Sequence, residues 1–569
     1  MIWKFEDEPS PQQVQVLHNQ YDLPQSLAKV LVRRGFDTPE KVQAYFSPDL
    51  TSLHDPMLML GMETAVKRLI KAFQAGEKVL LFGDYDVDGT TAVSLLSLFL
   101  DDLRMNFEYY IPDRYQEGYG LSFQGIDHAV EIGATLLVSL DCGIKAVDKV
   151  RYARQKGIDC IICDHHTPGP ELPPALAILD PRQEGCAYPY KELTGCGVGL
   201  KLLQALRLKL RENELADPAD PVASYADLVA LSIACDIVPI TGENRTLAFH
   251  GLQKLRTHPL PGIKALMDQA EGERSWDISD LVFFLGPRIN SAGRLHHGSA
   301  AVEVLRGQTE HLPELAQNLQ ESNDNRKALD RQITAEALAT IDQDPRFPES
   351  STTVLYQEDW HKGIIGIVAS RLIETHYRPT VLLTKSDGKL VGSARSVPGF
   401  DLYQALDACS DHLVQFGGHK YAAGLTLQEE ALSVFAAKFE KVVKARITEA
   451  QKQPVLRIEG NLRFPEINHQ LVQKIRMMEP FGPGNRKPVF ASTNVRVLHC
   501  VILKEVHVKW VLEQDSRMIE AIGFNLAEKW HRLKTDHLHI AYQPIFNTWN
   551  GRTRIKLRLK DIKHPHEAI

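Results

Sequence analysis

No stretch of this chain stays apolar for long enough to cross a bilayer; the most continuous run, LVALSIACDIVPI, is interrupted by Asp236. The opening residues, MIWKFEDEPSPQQ, are acidic and lack the apolar core of a secretory leader. Cysteine is scarce, eight in 569 residues, and Cys142, Cys163 and Cys235 fall inside or beside apolar runs, where reduced thiols act as small hydrophobes. Cys160 and Cys163 form a CxxC, but no second pair follows at zinc-site spacing. These absences lead to the expectation of a cytoplasmic protein with no membrane partner and no disulfide framework. No GxxxxGK[ST] occurs, so ATP-driven chemistry is not expected. Internal repeats and low-complexity tracts are also missing. Neither sign of charge dominates: 65 Lys and Arg stand against 72 Asp and Glu, a net charge of −7. That is only a weak argument against a nucleic-acid partner, because acids clustered at a metal site depress the total.

What is present is the composition of an ordinary soluble protein, 44% apolar and 24% charged, in a chain too long for one core. Residues 1–54 read as a helical lead-in, with helical spacing in SLAKVLVRRG and PEKVQAYF. Strand and helix patterns alternate over 55–310 and predict an α/β domain on a parallel sheet. Residues 311–345 hold no internal glycine and read as a long connecting helix, ended by DQDPRFP. A smaller α/β domain follows over 346–453, with TTVLYQ, PTVLLTK and KLVGSARS as strands. Over 454–569, tight alternation in VRVLHCVI, HVKWVLEQ, HLHIAYQPIF and RTRIKLRLKDI predicts a small antiparallel barrel of the OB kind.

Four acidic clusters carry the chemistry. Asp84-Tyr85-Asp86-Val87-Asp88-Gly89, Asp141-Cys142-Gly143, Asp164-His165-His166 and Asp236 each follow a strand-like run: KVLLFG, ATLLVSL, GIDCIIC and LVALSIAC. Parallel strands gather such residues at their carboxyl ends. Six carboxylates and two imidazoles in one crevice would repel one another unless divalent ions neutralised them. The first cluster also resembles the start of an EF-hand, but the twelfth loop position is Leu95 rather than a bidentate glutamate. Two readings stand for Asp141, a cap for the helix after Gly143 or a metal ligand. Asp236 likewise reads as a turn residue or as a fourth strand-end ligand. Asp with His suits Mn2+ or Mg2+ better than a thiolate zinc centre.

In Arg552-Thr-Arg554-Ile-Lys556-Leu-Arg558-Leu-Lys560, basic residues fall at every second position. On a strand they share one face, opposite an apolar row. Trp510, Phe546 and Trp549 are candidate base-stacking groups beside it. The competing reading is a solvated edge strand protected by its charges.

With these residues in view, the chain resembles the DHH phosphoesterase family, named for the motif found here as Asp164-His165-His166. The resemblance extends through GDYDVDG (83–89), IPDRYQEGYGLS (111–122), SLDCG (139–143), CDHHTPG (163–169), CGVGLKL (196–202), CDIVPITGENR (235–245) and LGPRINSAGRL (285–295). GSARS (392–396) and FGGHKYAAG (416–424) resemble the family's accessory domain, DHHA1. The resemblance implies two divalent ions, Mn2+ or Mg2+, held by Asp86, Asp88, Asp141, His165 and Asp236, with Asp141 as the bridge. Small pyrophosphatase-like members begin the first motif with a histidine where this chain has Phe82, leaving Asp84 or water to compensate. It further implies that His166 and His419 act at the phosphate and that Gly417 and Gly418 approach it. Ser393 and Arg395 would lie near the substrate 5′ end, and Arg114, Arg288 and Arg294 are candidate phosphate clamps.

The order of domains is that of the family's single-stranded-DNA exonucleases. From the resemblance alone come 5′-to-3′ polarity, a role in recombination and repair, and the partners: single-stranded DNA, single-strand-binding protein and a RecQ-type helicase. Arg554, Lys556 and Arg558 would track the strand. Two other functions compete. One is a phosphodiesterase for oligoribonucleotides or cyclic dinucleotides, which has no use for a long basic track. The other is a non-catalytic single-strand-binding scaffold, which has no use for clustered acids.

Overall fold

The computed structural model describes residues 1–272, 274–295, 297–549 and 551–567. Two compact units emerge. Met1–Leu53, Pro239–Phe249 and Val455–Ile569 form one, and His54–Val238 with His250–Pro454 form the other. The first unit begins with a short strand, β1 (Ile2–Phe5), and the helices Pro11–Tyr21, Gln25–Arg33 and Pro39–Phe46. Ser10 and Thr38 cap two of these helices, and each is followed by a proline in the first turn, where no amide hydrogen is needed.

The second unit opens on a wholly parallel sheet: β2 (Val79–Gly83), β3 (Phe107–Tyr110), β4 (Leu136–Leu140), β5 (Asp159–Cys163) and β6 (Ala177–Leu179), in the order β3-β2-β4-β5-β6. All residues of β2 and β4 are buried, as strands between two helical layers must be. Asp84, Asp141, Asp164 and Asp180 stand immediately beyond the carboxyl ends of β2, β4, β5 and β6. The fourth expected strand is not one. LVALSIAC closes the helix Pro221–Cys235, which Asp220 caps by accepting from the Val222 and Ala223 amides. Nearly every side chain of that helix is buried, so its sequence lacks the one-sided period that marks a helix.

A helix, Leu312–Gln343, leads to the second sheet of this unit. Its strands are β7 (Thr353–Tyr356), β8 (Thr380–Ser386), β9 (Lys389–Arg395), β10 (Gln415–Gly418) and β11 (Ala422–Leu427), in the order β10-β11-β9-β8-β7. Only the β7–β8 pair is parallel. Phe435 and Phe439 from the helix Leu432–Arg446 fill its core.

In the first unit, β12 (Val455–Ile458) pairs in parallel with β1, from Ile2 opposite Val455 to Phe5 opposite Ile458. Beyond it β13 (Phe490–Leu503), β14 (His507–Gln514), β15 (Arg517–Gly523), β16 (His537–Trp549) and β17 (Arg552–Lys563) close a barrel in the order β13-β14-β15-β17-β16. The expected small barrel is present but not wholly antiparallel: β15, a strand that alternation had not marked, pairs in parallel with β17. Arg245, at the end of the CDIVPITGENR block, donates to the carbonyls of Tyr45, Met478 and Glu479 and stacks 3.9 Å from the Tyr45 ring centroid. It thereby neutralises carbonyls where the helices Pro39–Phe46 and His469–Met477 end.

Candidate active site

The parallel sheet brings its acids together by close backbone approach. Asp86 caps the helix Val87–Asp102 by accepting from the Asp88 and Gly89 amides. A side chain at Gly89 would meet the Asp84 backbone at 2.4 Å, so only glycine lets this turn close. Asp88 accepts from the Gly195 and Cys196 amides at 2.7 and 2.9 Å and from the Ser232 hydroxyl at 2.7 Å. The amino end of the helix Gly195–Glu212 thus steadies its carboxylate. Asp141 has a left-handed backbone, φ 60°, tied by its amide to the Cys163 carbonyl. Gly195 presses against it: a Cβ there would lie 2.5 Å from the Asp141 Cβ.

Three donor groups result: Asp84, Asp86 and Asp141; Asp141, His165 and His166; and Asp88, His165 and Asp236. Within each group, one donor atom per residue lies within 4.8 Å of the others. Asp141 and His165 link the groups. His165 Nε2 is 3.2 Å from Asp141 Oδ1, 3.6 Å from Asp236 Oδ2 and 3.7 Å from Asp88 Oδ2. Asp236 reaches this point from the end of its helix rather than from a strand. All six residues expected at the metal, Asp84, Asp86, Asp88, Asp141, His165 and Asp236, therefore share one site.

The site is electrostatically unfinished as protein alone. Burial, reinforced by Asp86, holds the Asp84 carboxyl well above its usual range. Burial, reinforced by Asp88, does the same for Asp141 and raises Asp86. Asp236 is pushed up to about 8 by burial and Asp88. Burial lowers His165. Both oxygens of Asp84, Oδ1 of Asp141 and both ring nitrogens of His165 are buried without a hydrogen bond. Such orphaned donor atoms, oxygen-rich with imidazole, fit hard or borderline divalent ions such as Mn2+ and Mg2+. Thiols stand next to the acids, where burial pushes Cys142, Cys163, Cys196 and Cys235 up, and none of them belongs to the three donor groups.

His166 differs from His165. Its Nδ1 bonds Asp164 Oδ1 at 2.8 Å; burial opposes its ionisation, but that bond together with the charges of Asp164, Asp236 and Asp88 raises it to about 9. Burial opposes ionisation of Asp164, but His166 and the Ile144 amide hold it down at about 2. The sequence reading missed three neighbours. Asp180 is a further strand-end acid, raised to about 7 by burial, with Oδ2 buried and unbonded. Arg182 is close enough for its charge to be felt at Asp236 and His165. The Tyr119 hydroxyl donates to the Asp141 carbonyl at 3.0 Å and lies 3.3 Å from His166 Nε2. Position after a strand, applied once more, would have found Asp180; nothing in the pattern marks the other two.

The accessory domain contributes from the other side. His419 is lowered by burial and by the charges of Lys145 and His166, which puts it in the neighbourhood of the donor groups. Gly417 and Gly418 lie exposed on the edge strand β10. Arg395 donates to Ser393 Oγ at 2.9 Å. Burial followed by the Arg114 charge lowers Arg395, and the same two causes bring Arg294 down to about 10. Arg114 itself stands 4.8 Å from the Tyr85 ring centroid. Among the described residues none of these three arginines forms an ion pair, and the Arg114 charge is felt at both of the others, so together they make a cationic cluster. Arg294 donates to the Gly363 carbonyl, and Tyr115 donates to the Arg294 carbonyl, at 2.8 and 2.7 Å. Arg288 does not join this group. It is buried, lies 3.4 Å from the Phe284 ring centroid and donates to the Phe284 carbonyl.

On the barrel, Arg554 and Arg558 are exposed, while Leu557 and Leu559 point into the core, as alternation predicts. Lys556 is engaged by Glu520 at 3.0 Å. Trp510 is not a stacking surface: it is wholly buried in the barrel core. Phe546 is partly buried beside His469, and the Trp549 side chain lies outside the described residues. Phe524 is an exposed aromatic of this unit, next to His507 and under the Arg558 guanidinium at 5.2 Å.

Comparison with known proteins gives the same parts in the same order. A family model for the DHH family N-terminal domain matches residues 78–233, one for the DHHA1 domain matches 349–445, and one for the RecJ OB domain matches 458–561. The single-stranded-DNA-specific exonuclease RecJ of Bacillus subtilis (strain 168) is 34% identical over 568 residues, covering 99% of this chain and 70% of that protein. The protein of the same description from Haemophilus influenzae is 34% identical over 525 residues, covering 89% and 91%. The crystal structure of RecJ in complex with Mn2+ from Thermus thermophilus has a TM-score of 0.85 at 26% identity and covers 100% of this chain and 80% of that one.

Proposed function

Because the chain belongs to the RecJ family of DHH phosphoesterases, we propose that it is a single-stranded-DNA-specific 5′-to-3′ exonuclease. In this reading it hydrolyses phosphodiesters with two divalent ions, Mn2+ or Mg2+, and releases 5′-mononucleotides during recombination and repair. The observation that carries the reading is the convergence of Asp88, Asp141 and Asp236 on His165, with Asp84 and Asp86 grouped at Asp141, beside a cluster of arginines that form no ion pair.

Asp86, Asp88, Asp141, His165 and Asp236 hold the ions, with Asp84 as a further carboxylate. When bound, the ions supply the charge that anionic phosphate oxygens need and the acidity that makes water a nucleophile near neutral pH. The remaining work falls to the chain. Asp164 keeps a proton on His166, whose positive ring then meets a phosphate oxygen. His419, which burial and the charges of Lys145 and His166 lower, brings its imidazole to the scissile phosphate. Arg114, Arg294 and Arg395, with Ser393, bind the 5′-terminal phosphate, since planar guanidinium groups match its oxygens. The edge backbone of Gly417 and Gly418 lies against the strand.

In the same reading, 55–310 is the catalytic DHH domain, 311–345 its connecting helix, 346–453 the DHHA1 domain that grips the 5′ end, and 454–569 the OB domain that holds the strand. The lead-in, 1–54, supports the OB domain. Arg554, Arg558 and, less freely, Lys556 contact the backbone. Such an enzyme works in the cytoplasm beside single-strand-binding protein and a RecQ-type helicase.

The test is a long single-stranded DNA labelled at either end, with Mn2+ or Mg2+, a duplex control and an Asp141→Ala variant. The reading expects immediate release of label as mononucleotide from the 5′-labelled strand only, and none from the variant. Turnover of dinucleotides or short oligoribonucleotides, with long DNA untouched, would move the protein to the small-substrate branch of the family.

A further inference from the structure

Ile237 adopts a backbone conformation that its own side chain opposes. It directly follows Asp236, the residue that caps the helix Pro221–Cys235, and has φ 60°. Glycine or asparagine commonly fills this left-handed position after a helix, because a branched Cβ there crowds its own backbone. Among the described residues Ile237 is the only β-branched one with positive φ. The side chain is 68% exposed, so no burial offsets the strain.

The turn itself has a clear use. It ends the helix so that Asp236 Oδ2 comes to 3.6 Å from His165 Nε2. Glycine would make the same turn without strain, so the side chain is what needs an explanation. Tyr119, itself 54% exposed, stands beside the other donor group through its bonds to Asp141 and His166. An exposed aliphatic side chain thus directly follows the donor Asp236 in the chain, and an exposed aromatic one is bonded to the donor Asp141.

We propose that Ile237 is a substrate-positioning residue whose side chain packs on the sugar and base of the nucleotide at the scissile phosphate, with Tyr119 bracketing that nucleotide from the opposite flank. The inference rests on the exonuclease reading above. Aliphatic and aromatic contacts make no use of base-edge hydrogen bonds, so this grip holds any nucleotide in register with the metal donors. The DNA supplies the burial that the free protein lacks.

The experiment compares full-length wild type with Ile237→Gly, Ile237→Asn and Ile237→Leu, using mixed-sequence single-stranded DNA and Mn2+. Glycine and asparagine should raise the thermal midpoint by relieving strain. Both should raise KM about tenfold, the weight of one largely buried aliphatic side chain, with kcat within about twofold. Leucine, which stays apolar, should keep KM within about threefold. An unchanged KM in both the glycine and asparagine variants overturns the proposal, as does a lower thermal midpoint in both. Degradation by the wild type with unaltered variants sinks only the role of Ile237. No degradation by the wild type sinks the exonuclease reading, and this proposal with it.

Discussion

Replacing Gly195 by alanine should dismantle the metal centre without touching a ligand. The new methyl group would lie 2.5 Å from the Asp141 Cβ and 2.7 Å from its Cα. Carbon atoms rest about 3.5–4.0 Å apart, so one backbone must move by about 1 Å. Asp141 has little freedom to yield, because its amide is bonded to Cys163 and its carbonyl accepts from Tyr119. The Gly195 amide is equally committed, to Asp88 Oδ2. Whichever side gives way, a carboxylate leaves its place, and Asp141 belongs to two of the three donor groups. A misplacement of about 1 Å in a catalytic centre costs about 100-fold in rate, and overpacking costs about 1–3 kcal/mol in stability. Gly195→Ala should therefore lose about 100-fold in kcat/KM on 5′-labelled single-stranded DNA. Its Mn2+ titration, followed by thermal shift, should move to higher metal concentration. Gly197→Ala is the control: it lies in the same helix, and its nearest neighbours would stand at an ordinary 3.4–3.5 Å. Helix propensity alone would make it about 0.5–1 kcal/mol more stable, with activity intact. A Gly195→Ala enzyme within about threefold of wild type, with unchanged metal titration, would refute the reasoning.

Three further outcomes follow from the same geometry. In chelator, thermal stability should fall as pH rises from about 6.5 to 8, because Asp236 (raised to about 8) and His166 (raised to about 9) bind more protons folded than unfolded; saturating Mn2+ should remove that slope, and a metal-free midpoint that rises across the window would contradict it. Arg294→Ala and Arg395→Ala should each cut activity on 5′-phosphorylated DNA by about 10-fold or more, with little rescue by lysine. Arg288→Ala should instead lower the thermal midpoint and leave activity within about threefold, since that side chain is spent on Phe284; equal losses in all three variants would undo the distinction. On the barrel, Trp510→Ala should cost about 3–5 kcal/mol, as for any large buried aromatic. Phe524→Ala should leave stability nearly unchanged and weaken binding of long oligonucleotides measured by anisotropy, and the reverse pattern would restore Trp510 as the stacking group.

Much of this protein was legible in the one-dimensional pattern. A strand between two helical layers is a short, unbroken apolar run, and the residue after it lies at the sheet's carboxyl edge; this rule located Asp84, Asp141 and Asp164 and would also have found Asp180. Alternation with period two forecast the barrel and the exposed basic row of β17, because one face of each strand meets the core and the other meets water. Motif spacing identified the family. The tertiary structure decided the rest, for a common reason: periodicity records only which side of an element is buried, and says nothing about what that side meets. The helix before Asp236 is buried all round, so it has no period and read as a strand. Arg114, Arg294 and Arg395 cluster while Arg288 lies against Phe284, although all four looked alike in sequence. Trp510 turned inward from β14, whereas Phe524, in the turn after β15, is left exposed. Residues 1–53 and 455–569 fall in one unit because Leu17, Leu27 and Tyr45 share a buried apolar core with Phe464, Trp510 and Leu557, and no local pattern records with which distant segment a face will be buried.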